Sequence, residues 1–180
     1  MIYMFLADGF EEVEALCPLD LMRRAGLEVT TVGIDKKDIR GAHDITVIAD
    51  ISDKDMDLSR EFDMIFLPGG MPGTLNLAKN TTVQKAIQKA VNDNSYIAAI
   101  CAAPSILGDL GLLKGKKAIC YPGFEERLTG ATISDKKVVA DGKILTAAGM
   151  GVAYEFGILI VEILCGCEKA FLLRNATIHE

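Results

Sequence analysis

The sequence predicts one α/β domain over residues 1–180, a parallel sheet covered by helices, and three observations carry the prediction. Short apolar runs at Ile2 to Leu6, Met64 to Leu67 and Tyr96 to Ile100 read as buried strands. Stretches of helical periodicity lie between them, and the opening strand, helix and strand make a βαβ unit. The chain has 180 residues of which 50% are hydrophobic, enough for one core without disulfides or a structural metal.

Ile2 to Leu6 is the first strand. Asp8 follows with Glu11 three residues on, the spacing of a capping box, so a helix is expected to start here. Val13, Leu16, Cys17, Leu21 and Met22 recur at helical spacing until Gly26, and Leu27 to Val32 reads as the second strand. Lys36 to Asp44 is expected to be a polar loop and Ile45 to Ala49 a weakly alternating strand. Met64 to Leu67 runs into Pro68-Gly69-Gly70; a helix from about Val83 to Val91 leads to the strand Tyr96 to Ile100, and Ala102 to Leu110 reads as helical. Lys117 to Cys120 is a short strand. Val138 to Ala140 and Ile144 to Thr146 flank Asp141-Gly142, a strong hairpin signal. A long helix from Gly151 to about Leu164 follows; Cys165-Gly166-Cys167 is expected only to close and pack it, and His179 to lie on a fraying tail. There is no internal repeat, linker or low-complexity tract.

Composition excludes several classes. The net charge is -6 with no dense Lys/Arg run, which argues against nucleic acid as an electrostatic partner. Gly151 to Cys167 is interrupted by Glu155 and Glu162, so no membrane span is expected, and Met1 to Ala7 lacks the basic lead of a signal peptide. A cytoplasmic protein is the expectation. Five cysteines at irregular spacing form no disulfide framework, and with only His43 and His179 for imidazole no ordinary zinc site can be assembled. No Walker A sequence exists, and Tyr154 stands at the third glycine place after Gly149-Met150-Gly151, which weakens dinucleotide binding. No metal or cofactor is expected.

Cys101 is the sharpest chemical signal. It ends an apolar strand where the chain must turn at once into a helix; Ala99, Ala102 and Ala103 are small enough for a tight elbow, and Pro104 suits a first helical turn. A thiol at a helix N-terminus is expected to have a lowered pKa and so to be nucleophilic. The adjacent glycines of Pro68-Gly69-Gly70 let backbone N–H groups approach a ligand, as an oxyanion hole requires. In a parallel sheet this turn and Cys101 both lie at the carboxyl edge, where ligands bind. Glu11, Glu12 and Glu14 crowd the first turn of the first helix at that edge. One or two complement the helix dipole. A protonated glutamic acid among them, donating to the sulfur, would stabilise a thiolate and would show a raised pKa. His43, alone in a polar loop, reads as a surface or interface residue.

Asp8-Gly9-Phe10-Glu11-Glu12-Val13-Glu14, Leu67-Pro68-Gly69-Gly70 and Ala98-Ala99-Ile100-Cys101-Ala102-Ala103-Pro104 together resemble the ThiJ/PfpI superfamily. Within it the chain looks most like the DJ-one branch of Parkinson-disease-associated deglycases and their bacterial relatives. The resemblance covers essentially the whole chain. It implies a flavodoxin-like three-layer sandwich of class I glutamine amidotransferase-like architecture, and a homodimer. It further implies Cys101 as nucleophile, Glu14 as the protonated acid bonded to it, Gly70 and Ala102 as oxyanion N–H donors, and Arg24 near the dimer interface. The implied activity is glyoxalase or deglycase action on methylglyoxal and its early protein adducts. The implied alternative is a redox sensor or chaperone whose Cys101 becomes a sulfinate. Departures narrow the choice. Ala102 stands where the protease branch has histidine, and no histidine lies between His43 and His179 to serve an amidotransferase. Tyr121 stands where many glyoxalase-active relatives place a histidine, and a phenol is a poor proton shuttle at neutral pH. Ala148 and His43 replace arginines, which weakens an anion site near the pocket.

Overall fold

The computed structural model describes residues 1–179. Seven strands form the main sheet: β1 (Ile2–Leu6), β2 (Val29–Gly33), β5 (Ile51–Ser52), β6 (Met64–Leu67), β7 (Tyr96–Ile100), β10 (Val138–Asp141) and β11 (Ile144–Ala147). Their spatial order is β10-β11-β7-β6-β1-β2-β5, parallel except for the β10–β11 hairpin. A two-stranded antiparallel ribbon, β3 (Asp38–Arg40) and β4 (Thr46–Ile48), and a parallel pair, β8 (Lys117–Ala118) and β9 (Thr132–Ile133), lie outside it. The helices are α1 (Glu12–Arg24), α2 (Gly73–Lys79), α3 (Thr81–Asn92), α4 (Pro104–Asp109), α5 (Ala153–Cys165) and α6 (Cys167–Ala176).

The central strands β1, β6 and β7 are apolar because both sheet faces are covered there. Ile2, Met4 and Leu6 of β1 join Phe66, Ala98, Ile100 and Leu145 in a core shared with α1, α5 and α6. Tyr3, Phe5 and Ala7 turn to the other face with Ile65, Leu67, Ile97 and Ala99, against α2, α3 and α4. This alternation is the period-2 consequence of the pleat, and it makes the three-layer, flavodoxin-like sandwich. After β1 the chain builds outward through β2 and β5, then returns to β6 on the other side of β1. Ligands bind at such a switch point. Here the loops leaving β1 and β6 are stitched together by Glu11 N–H to Gly69 O at 2.9 Å and Gly73 N–H to Gly9 O at 3.1 Å.

Several elements differ from their sequence-based expectation. The polar loop over Lys36 to Asp44 contains β3, whose single buried residue, Ile39, is too little pattern to announce a strand. Helices α2 and α6 are additional to those the sequence pattern predicts. In α6 Phe171 and Leu172 are exposed while Ala170 and Leu173 are buried, so its apolar residues do not mark one face. Cys165 and Cys167 are exposed rather than packed, on either side of Gly166 at φ +90°. The tail does not fray at His179, whose ring stacks on Tyr154 with centroids 4.0 Å apart.

Candidate active site

Cys101 ends β7 at φ +64°, a left-handed conformation that a residue with a side chain seldom adopts. Neighbouring backbone holds it there: its N–H donates to Ala147 O and its carbonyl accepts from Tyr121 N–H, each at 2.8 Å. The elbow leaves the side chain half-buried at the carboxyl edge, with the Ala102 and Gly70 N–H groups aimed at the sulfur. Gly70 itself is at φ +91° and runs so close to β1's loop that a methyl group there would sit 2.3 Å from Glu11 N. Glycine is required on both counts.

The three glutamates of α1 have three different jobs. Glu11 is the N-cap: its Oε2 accepts the Glu14 N–H at 2.6 Å. The expected capping box is corrected accordingly, because Asp8 instead accepts the Arg40 N–H at 2.9 Å and pairs with Lys36 at 2.7 Å. Glu12 is buried and turned to the 41–45 loop, where Oε1 accepts the His43 N–H at 2.7 Å and Oε2 meets His43 Nδ1 at 2.8 Å. Those bonds hold the Glu12 carboxyl below its usual range against the opposing effect of burial, and raise the His43 imidazole. Glu14, in the first turn of the helix, is 1% exposed and reaches the Cys101 side chain. Gly69 N–H donates to its Oε2 at 3.1 Å, and Met150 N–H donates to the same carboxyl.

Burial pushes the Glu14 carboxyl up to about 7, reinforced by the charge of Glu11 and opposed by its bonds to Cys101, Gly69 and Met150. The raised acid agrees with the sequence reading. The thiol does not: burial, the Glu14 charge and the Glu14 bond push Cys101 up to about 12, against the Ala102 and Gly70 N–H groups. The expected acidification by a helix N-terminus is outweighed, since α4 is short and the sulfur lies buried beside a carboxylate. Two of the upward causes belong to ionised Glu14. When Glu14 carries the proton both fall away, and the neutral acid can donate to the sulfur, which favours the thiolate against the effect of burial.

Among the described residues, Glu11, Glu12 and His43 bring possible metal-ligand atoms within 4.8 Å of one another. The Glu12 carboxylate is already taken up by His43, which makes the trio a loop anchor. Gly70 and Ala102, which the resemblance implies as oxyanion donors, both present their backbone N–H groups to the Cys101 sulfur. Gly69 and Met150, which hold Glu14 through backbone N–H groups, had no sequence signal beyond glycine-rich turns. Arg24 Nε pairs with Asp20 Oδ2 at 2.5 Å within α1.

The DJ-1/PfpI family model matches residues 1–163. The chain belongs to the DJ-1/PfpI family. Arabidopsis thaliana Protein DJ-1 homolog B is 41% identical over 92% of this chain, which spans only 38% of that protein's length. Drosophila melanogaster Protein dj-1beta is 36% identical over 92% of this chain and 90% of its own. A Caenorhabditis elegans relative named as a glutathione-independent glyoxalase is 32% identical over 88% of this chain and 85% of its own. Among solved structures, an oxidized Toxoplasma gondii DJ-1 superposes with a TM-score of 0.94 at 30% identity, covering 99% of this chain and 97% of that one. Among the described residues no helix is long and apolar enough to cross a membrane.

Proposed function

We propose that the protein is a cofactor-independent enzyme acting on 2-oxoaldehydes such as methylglyoxal, or on their early protein adducts, through Cys101 and Glu14. The observation that carries the reading is the buried Glu14–Cys101 pair, with one N–H pair aimed at the sulfur and another at the carboxyl. The thiolate adds to the aldehyde carbon; an S–C bond forms and the carbonyl electron pair moves to oxygen, beside the Gly70 and Ala102 N–H groups. Glu14 gives its proton to that oxygen. The resulting carboxylate takes the proton from the former aldehyde carbon, giving an enediolate, and returns it to the adjacent carbon, while the hydroxyl proton on the former aldehyde carbon passes to the neighbouring oxygen, leaving the thioester of a 2-hydroxy acid. Water then releases the 2-hydroxy acid and the thiol.

Family membership and the relative named as a glyoxalase support this reading. The test is methylglyoxal consumption and lactate formation by wild type, Cys101→Ser and Glu14→Gln. Multiple turnovers abolished by Cys101→Ser and lowered at least about a hundredfold by Glu14→Gln are expected, as for loss of a general acid–base. Absence of turnover in wild type removes glyoxalase chemistry and leaves deglycation to be assayed on a glycated peptide.

Tyr121, exposed and bonded through its backbone to Cys101, favours a second reading in which the thiol is a stress sensor. Two equivalents of peroxide would convert the thiol to sulfinate and release two waters, with Glu14 donating to the sulfinate oxygen. A stoichiometric mass gain of two oxygens on Cys101 without turnover would decide for it. A cytoplasmic homodimer belongs to the same proposal, and sedimentation of the purified chain tests the assembly.

A further inference from the structure

The loops that flank Cys101 carry an apolar rim. In the sheet β7 lies between β11 and β6, so the segments leaving those two strands border the elbow on either side. The β6 segment presents Met71, directly after the Gly70 N–H that faces the sulfur, and the β11 segment presents Met150, whose N–H holds Glu14. Tyr121 joins from the segment bonded to the Cys101 carbonyl. A methyl group at Gly149 would meet the Tyr121 ring at 3.4 Å and Glu14 Oε1 at 3.7 Å, so the phenol ring stands over the acid's side of the site. Met71, Tyr121 and Met150 are 46%, 51% and 54% exposed. A single exposed apolar side chain is ordinary; three on the segments that border one nucleophile offer apolar area to a substrate there.

The charges point the same way. Glu14 lies beside the sulfur and feels the charge of Glu11, while three cations of the β1–β4 segments are engaged, Lys36 with Asp8 at 2.7 Å, Arg40 with Asp44 at 2.8 Å and His43 with Glu12 at 2.8 Å. Ala148, before Gly149, is aliphatic. An anionic substituent would meet Glu14 and the charge of Glu11 without gaining a partner from Lys36, Arg40 or His43, whereas an uncharged apolar one would cover the rim.

We infer that the site selects uncharged 2-oxoaldehydes bearing an apolar, aryl-sized substituent, with Met71, Tyr121 and Met150 as the specificity-determining side chains. The inference rests on the reading of Cys101 as the reacting thiol, and its test separates the two. The first arm compares kcat/KM for phenylglyoxal and methylglyoxal. The second needs no turnover: it compares labelling of Cys101 by phenacyl bromide, iodoacetamide and iodoacetate, each normalised to a free cysteine peptide. Wild type is expected to favour phenylglyoxal, and phenacyl bromide over iodoacetate, by roughly tenfold or more. Met71→Gln and Met150→Gln, polar but of similar size, should lower both ratios, and Met71→Leu and Met150→Leu should keep them. Normalised labelling ratios near one, or Gln and Leu variants that behave alike, overturn the inference. So does a shift in oligomeric state without a shift in selectivity, since the rim would then serve assembly. Selective labelling without turnover supports the rim and removes only the enzyme reading.

Discussion

Glu14 is a residue whose chemistry is set by its surroundings. An ordinary carboxylic acid titrates near 4.5, and burial moves this one to about 7. The folded chain therefore holds this proton in a pH range where the unfolded chain has lost it. The associated stability is complete below about pH 4.5 and is lost as pH rises through about 7. Urea unfolding of wild type and Glu14→Gln at pH 5 and pH 8 should show the wild type losing up to about 3 kcal/mol that the variant keeps. Equal pH dependence would show that Glu14 titrates normally. Gly69 makes a second prediction at this scale. A methyl group there would lie 2.4 Å from Glu14 Oε2 and 2.6 Å from Cys101 Cβ, driving a wedge into the pair. Gly69→Ala is expected to cost about 1–3 kcal/mol and to abolish turnover, measured by denaturant midpoint and activity. Cys101 and the glutamate cluster of α1 were legible in the sequence because side chains announce chemistry, and the resemblance pointed to Glu14 among the three. The roles of Gly69 and Met150 were not, because a backbone N–H is common to every residue except proline.

At the scale of elements, the first turn of α1 ties three segments together. Glu11 caps the helix, Glu12 anchors the 41–45 loop and Glu14 crosses to β7. A methyl group at Gly41 would fall 2.2 Å from Glu12 Oε1, so the loop closes directly over this carboxylate. Replacing Glu12 by Ala removes the acceptor of the His43 N–H. Amide exchange at His43 and Ile45 should then rise by more than about tenfold while that of β7 stays slow. Unchanged exchange would mean that the β3–β4 ribbon holds the loop unaided. Strong strands such as β6 and β7 could be read from sequence because burial on both faces makes them continuous apolar runs. The same rule hid β3, which is mostly exposed, and left β4 legible only as a weak alternation over Ile45 to Ala49.

At the scale of the molecule, helices from opposite ends of the chain pack to make the site. Gly157 of α5 lets α1 approach so closely that a methyl group there would meet Leu21 Cδ1 at 2.7 Å and the Pro18 backbone at 3.0 Å. Helix α1 carries Glu14, and the segment entering α5 carries Met150. Gly157→Val should cost about 1–3 kcal/mol by overpacking and, by parting the helices, lower turnover at a distance from Cys101. Lost stability with activity per folded molecule intact would uncouple this packing from the site.

The sequence by itself determined the alternating α/β architecture, the Asp-Gly hairpin, the elbow at Cys101 and the cluster of three glutamates in the first turn of α1. Each is written in local pattern or in a side chain whose chemistry needs no neighbour to be recognised. Only the tertiary structure decided which of the three glutamates reaches the sulfur, and in which direction the thiol's pKa moves. Both depend on distances between β1, β6, β7 and β11 and on how completely water is excluded there. Those quantities exist only once the sheet has brought residues 14, 70, 101 and 150 to one edge.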